Sequence, residues 1–130
     1  MTTLTEQARD LLDGKNFATI ATLNEDGSPH TSVIWVTSDG DDVLFTTRAD
    51  RRKARNVARD PRVSISLFDT ANPYRTSDIR GIAELVEDPG NTLGNRLSHE
   101  YVGEDAPPEP PEVVRYIVRV RPHKVIDFAV

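Results

Sequence analysis

The stretch Thr46-Thr47-Arg48-Ala49-Asp50-Arg51-Arg52-Lys53-Ala54-Arg55-Asn56 holds the densest set of side chains able to do chemistry. From Thr47 to Asp60, six basic residues (Arg48, Arg51, Arg52, Lys53, Arg55, Arg59) stand against two acidic ones, in a chain of formal net charge −5. The cations also sit against local preference. Arg51, Arg52 and Lys53 fall in the first turn of an expected helix, where the macrodipole favours anions. Each misplaced cation costs about 0.3–1 kcal/mol at an exposed site. A bound phosphate resolves the conflict by accepting the free N–H groups of the helix start and pairing with the same cations. The alternative is a solvated basic face balanced by nearby Asp and Glu.

Asn72-Pro73-Tyr74-Arg75 is a second candidate, expected in a loop between two strands. Asn-Pro is in itself a turn signal. Tyr-Arg on a loop offers an aromatic face and a cation, which suit a planar, partly anionic ligand. Trp35, the single tryptophan, lies mid-strand with Ser32 and Val33 as neighbours. It suits either core packing or a flat ring laid against the strand.

Other chemistries find little support. There is no cysteine, so disulfides and thiolate metal sites are excluded. His30, His99 and His123 lack metal-ligand spacing, and no metal is expected. No Gly-rich phosphate loop or nucleophile elbow is present. A phosphate site with few proton-transfer candidates points to a cofactor that carries the chemistry.

The elements that must position these residues are mostly strands. Thr3 and Glu6 have capping-box spacing and Gly14 suits a helix stop, so a helix is expected from about Leu4 to Asp13. Phe17–Leu23, His30–Thr37 and Val43–Thr47 are β-rich runs separated by Asp-Gly turns, which predicts an antiparallel meander. Asp50 to Asp60 reads as a helix with Asp50 as N-cap, Ala54, Val57 and Ala58 inward, and Pro61 as the stop. Strands follow at Arg62–Asp69 and about Ile79–Glu87, where Gly81 signals a bulge or a close backbone approach.

Asp88-Pro89 predicts an N-cap and first helical position for a helix over about Gly90–Tyr101, with Leu93, Leu97 and Tyr101 on one stripe. Ala106–Pro111 reads as a polyproline-like connector, and Val113–Val120 and Val125–Val130 as two last strands. The sum is a mainly β fold: six or seven antiparallel strands with about three short helices. A closed or nearly closed β-barrel removes the exposed edges of such strands.

A length of 130 residues fits one domain, 1–130. The N-terminus shows no basic and apolar signal pattern, and no run reaches the roughly 18 apolar residues of a membrane span. A soluble, cytoplasmic protein is therefore expected. The net negative charge argues against membrane or general nucleic-acid partners. A β-barrel nucleic-acid binder would need stacking aromatics, and these make up only 6% of the chain.

Four stretches together resemble a known family: FATIATLNEDGSPHTSVIWV, VLFTTRADRRKARNVARDPRVSISL, NPYR followed by IRGIAELVED, and YIVRVRPHKVIDF. The chain is similar over nearly its whole length to the pyridoxamine 5′-phosphate oxidase-like superfamily of FMN-binding split β-barrels. Within it, the chain most resembles the small deazaflavin (coenzyme F-420)-dependent enzymes. The resemblance implies a flavin or deazaflavin phosphate held by Arg48, Arg52 and Lys53, with Thr47 as hydroxyl donor and Arg51 and Asn56 as further candidates. It implies that the ring lies against Ser32, Val33, Ile34 and Trp35. It implies a homodimer with the cofactor at the interface, where Asn72, Pro73, Tyr74 and Arg75 act on the partner's site. The implied activity is hydride transfer from reduced coenzyme F-420 to a small conjugated organic acceptor, with the proton coming from solvent or Tyr74. FMN-dependent oxidase or reductase chemistry, and non-catalytic cofactor binding or storage, stand as alternatives. Phe128 where many relatives carry tryptophan, and the long Pro-rich segment, are departures at the mouth of the pocket.

Overall fold

In the computed structural model, which describes residues 2–130, the first helix begins later than its capping-box signal. Helix α1 spans Glu6–Asp13 and its cap is Thr5, not Thr3: the Thr5 hydroxyl accepts from the Ala8 amide at 3.0 Å. Leu4 stays outside the helix and enters the core beside Ala8, Leu11 and Leu12.

Strands β1 (Phe17–Leu23) and β2 (Pro29–Trp35) form the expected hairpin, in register from Phe17 opposite Trp35 to Leu23 opposite Pro29. The run then departs from expectation. β2 stops at Trp35, Val36 breaks it, and Thr37–Asp39 forms a separate short strand, β3, paired with β4 (Asp42–Arg48). Gly40 opens the β3–β4 loop at φ +63°, a conformation that glycine adopts without a Cβ clash.

Beyond α2 (Arg52–Arg59) come β5 (Arg62–Asp69), β6 (Asn72–Glu87), α3 (Thr92–Val102) and β7 (Arg115–Phe128). The seven strands make one antiparallel sheet in the order β2-β1-β5-β6-β7-β4-β3. Its two edge strands are successive in the chain, with only Val36 between them. Two peptide steps span at most about 7.6 Å. The edges therefore meet at that corner, and the sheet curls into a half-barrel. Inside lie Ile20, Phe45, Ile65, Leu67, Ile79, Val118 and Val120, plugged by Leu11 and Leu12 of α1.

The later elements also depart from expectation. α2 starts at Arg52 with Arg51 in the cap position and no side-chain cap; Asp50 instead binds Arg48. Its inward residues are Ala54, Asn56 and Val57, while Ala58 is exposed. Asn72–Arg75 opens β6 and is not a loop. Pro73 is tolerated at the strand start, where its missing N–H costs no central ladder bond. α3 starts at Thr92 with Asn91 in the cap position; the Asp88 carboxylate still accepts from the Leu93 amide (2.9 Å) and the Thr92 hydroxyl (2.5 Å). The last two strands are one, β7. Pro122 is absorbed opposite Gly81, at the bulge between Arg80 and Gly81. There a Cβ on Gly81 would lie 2.4 Å from the Arg121 carbonyl oxygen, so the expected close backbone approach is present.

Candidate functional site

A cleft of about 370 Å³ opens along the edge strand β2, between Trp35, Lys53 and the start of β7. Its flat wall is aromatic. Trp35 stacks on Tyr101 (centroids 5.2 Å apart, planes 13° from parallel), and Phe17 meets the same ring at 5.8 Å. Behind them Leu44, Leu93 and Leu97 form a second small core between β4 and α3. The Tyr101 hydroxyl pins this wall to the crossing between sheet edges. It accepts from the Val36 amide at 3.1 Å and lies within donating distance of the Asn16 and Val36 carbonyls, at 2.8 and 2.9 Å. Burial raises the phenol's pKa, so it stays protonated.

Positive charge gathers at one end. Lys53 is half-buried, and its Nζ donates to the Ser32 hydroxyl at 3.3 Å. Its pKa is pushed below the ordinary 10.5, first by burial and then by the guanidinium groups of Arg51 and Arg115. Arg51 and Arg52 make no side-chain hydrogen bond or ion pair among the described residues, and they stand outside the cleft lining, with Arg51 near enough to act on Lys53. The first turn of α2 carries no acid. This end is thus short of negative charge, and an anionic group is its natural complement.

The structure brings Ser32, Val33, Ile34, Trp35 and Lys53 together in one place. Ile34 is buried in the core, so it offers backbone. Thr47 faces the core, and its neighbour Thr46 lines the cleft instead. The period-2 alternation of a strand puts Thr46, not Thr47, on the face of Arg48. Arg48 is held by Asp50. The Asn56 amide is committed within the protein: it donates to Thr22 Oγ1 and Asn24 Oδ1, both at 3.0 Å, and accepts from Arg59. It fastens α2 to β1. Asn72, Pro73, Tyr74 and Arg75 do not line the cleft of their own protomer. Arg75 pairs with Asp10 and Asp69, and the Tyr74 side chain is exposed.

Phe17, Tyr101 and Arg115 were not singled out from sequence as site residues. Arg115 joins the site because β4 and β7 pair in a register that sets it directly opposite Arg48. A larger pocket of about 700 Å³ adjoins the cleft and shares Asn91, Ala106, Pro107 and Arg115 with it. Ser98 donates to the Glu104 carbonyl, and His99 pairs with Asp105, so neither forms a nucleophile–base pair. The cleft supplies a flat apolar wall and a cationic end.

A seven-stranded antiparallel half-barrel with such a cleft on its edge strand defines the split-barrel class. The chain belongs to the pyridoxamine 5′-phosphate oxidase family, whose sequence profile matches residues 4–128. A pyridoxine/pyridoxamine 5′-phosphate oxidase of Kineococcus radiotolerans is 38% identical over 71 residues, 55% of this chain. That match covers only 31% of the Kineococcus protein's length. A solved structure named F420 reductase superposes with a TM-score of 0.86 at 32% identity, covering 95% of this chain and 98% of the other. A conserved hypothetical protein of Mycobacterium tuberculosis superposes at 0.78 with 26% identity, covering 98% of this chain and 86% of its own. The named relatives are thus an oxidase and a reductase. No helix among the described residues is long and apolar enough to cross a membrane.

Proposed function

We propose that this protein is an oxidoreductase that binds the deazaflavin coenzyme F-420 and passes hydride to a small conjugated organic acceptor. One observation carries the reading: a half-buried lysine, bonded to Ser32 of β2 and crowded by Arg51 and Arg115, stands at the end of a flat aromatic wall. A tricyclic ring fits against Val33, Ile34 and Trp35. Its anionic tail fits Lys53, Arg51, Arg52 and the open first turn of α2, with Arg48 and Thr46 beside them, while Thr47 and Asn56 stand behind in the core. The deazaflavin, bound in its reduced form, would supply the hydride. The protein's own residues hold the ring against β2, keep water from its buried face and fix the tail by charge. Solvent supplies the proton.

The active species proposed is a homodimer. The outer face of β1, β5, β6 and β7 exposes Phe17, Phe68, Ile126 and Phe128 around the small residues Thr19 and Ser66, and it runs on to Val33 at the cleft. A second copy seated there would bring its Asn72–Arg75 segment toward the cofactor. Light scattering tests this; a monomer removes the shared site.

The match to the Kineococcus oxidase favours FMN as the second reading. The test is fluorescence titration with coenzyme F-420 and separately with FMN, for the wild type and Lys53→Ala. Loss of a charge-assisted bond of about 1.5–3 kcal/mol weakens tail binding roughly 10- to 150-fold. Preferential FMN binding would select the second reading. Binding of neither would remove the cofactor proposal. Cofactor binding with no turnover on any conjugated acceptor would point to a binding or storage protein.

A further inference from the structure

Arg48 and Arg115 face each other directly across the β4–β7 ladder. Like charges in that position repel, and each arginine has its own internal counter-ion. For Arg48 it is local, Asp50 at 3.1 Å. For Arg115 it is Glu109, reaching out from the middle of the Pro-rich segment in a two-pronged pair at 2.9 and 2.7 Å. The Arg115 guanidinium holds the Glu109 carboxyl below its ordinary pKa, and Arg48 adds to the effect. Arg115 also lines both the cleft and the larger pocket, and its charge bears on Lys53. A protein carboxylate therefore occupies an arginine that faces ligand space.

The segment carrying Glu109 is otherwise lightly held. The Ala106 amide donates to Asn95 Oδ1 (2.9 Å) and the Val113 amide to the Pro110 carbonyl (3.0 Å). Pro107, Pro108, Pro110 and Pro111 have no N–H to donate. Asn91, which shares both pockets with Ala106 and Pro107, keeps a buried Oδ1 without any hydrogen-bond partner.

We propose that Arg115 is a second anion subsite, guarded by Glu109 as a displaceable internal anion. A ligand with two anionic groups places one at Lys53 and the first turn of α2. Its second group takes Arg115, expels Glu109 and releases the Pro-rich segment. The inference rests on reading the Lys53 end as an anion site, but not on which cofactor binds there.

Inorganic tripolyphosphate is the probe, with orthophosphate as the single-group control, followed by NMR on wild type, Glu109→Gln and Arg115→Lys. Glu109→Gln is expected to bind tripolyphosphate about tenfold tighter and orthophosphate with little change, because the competing carboxylate is gone. Tripolyphosphate should speed hydrogen exchange of the Ala106 and Val113 amides in the wild type. In Glu109→Gln these amides exchange fast without it. Arg115→Lys, which keeps the charge but loses the fork, should lose most of the discrimination between the two probes. Unchanged or weaker tripolyphosphate binding by Glu109→Gln overturns the proposal, as does failure of the probe to bind either protein. If the gain appears while neither F-420 nor FMN binds, the cofactor reading fails and the anion exchange stands.

Discussion

Replacing Tyr101 by Phe tests whether the corner joining the two sheet edges is rigid. The ring, its stack on Trp35 and its contact with Phe17 all remain. Only the hydroxyl is lost, and three backbone groups converge on it. Its single proton serves one carbonyl at a time, either Asn16 or Val36, so the second carbonyl loses little. The Val36 amide loses its partner outright, in a residue that is 1% exposed. A buried donor left unmet costs about 1–3 kcal/mol, and the lost bond to a carbonyl adds about 0.5–1.5 kcal/mol. A destabilisation of about 2–3 kcal/mol is expected. At roughly 3–5 °C per kcal/mol for a domain of this size, that lowers Tm by about 6–15 °C. Urea unfolding followed by the fluorescence of Trp35, the single tryptophan and the residue stacked on this ring, measures it directly. A loss below about 0.5 kcal/mol with an unchanged m-value would refute the reasoning, because water would then reach the Val36 amide and the corner would be loose.

Two further outcomes are expected. Gly81→Ala puts a Cβ 2.4 Å from the Arg121 carbonyl and 2.9 Å from Val120 Cγ1, so backbone must move; a loss of about 2–4 kcal/mol in the same unfolding assay is expected. Lys53 couples anion binding to alkaline pH. Its pKa in the free protein is depressed below 10.5, so anion affinity falls as pH rises through that lowered value, and binding there takes up a proton. Between the lowered folded value and the unfolded one the unfolded chain binds more protons, so this group makes stability rise with pH across that window. Lys53→Met should abolish both effects, read by calorimetry in buffers of different ionisation enthalpy and by unfolding across the same pH range.

Most strands were legible because their signals are local: alternating β-formers with Gly27 and Gly40 at positive φ in the turns between them. The basic cluster was legible for the opposite reason, since Arg51, Arg52 and Lys53 contradict their local context. What escaped depends on distant partners. Pro122 looks like a strand break until Gly81 supplies the bulge that receives it. Arg115 is one arginine among several until β7 pairs with β4. The helix starts fall at Arg52 and Thr92: Asp50 is taken by Arg48, and Asp88 serves the first turn of α3 from four residues before it. Asn56, read as a site residue, is a buried tie whose partners Thr22 and Asn24 lie more than thirty residues away.

The placement of β7 has a consequence for biosynthesis. It lies between β6 and β4, so it is a central strand formed from residues 115–128. Until those residues are in place, β3–β4 is a hairpin with no docking strand, and β6 presents an open edge from Thr76 to Glu87. An isolated two-stranded hairpin is marginal in water, and an open edge invites pairing with other chains. Folding therefore depends on contacts distant in sequence, such as β4 with β7, which places it among the slower topologies. A truncated product lacking this strand leaves both of its partner strands open and is the form expected to aggregate.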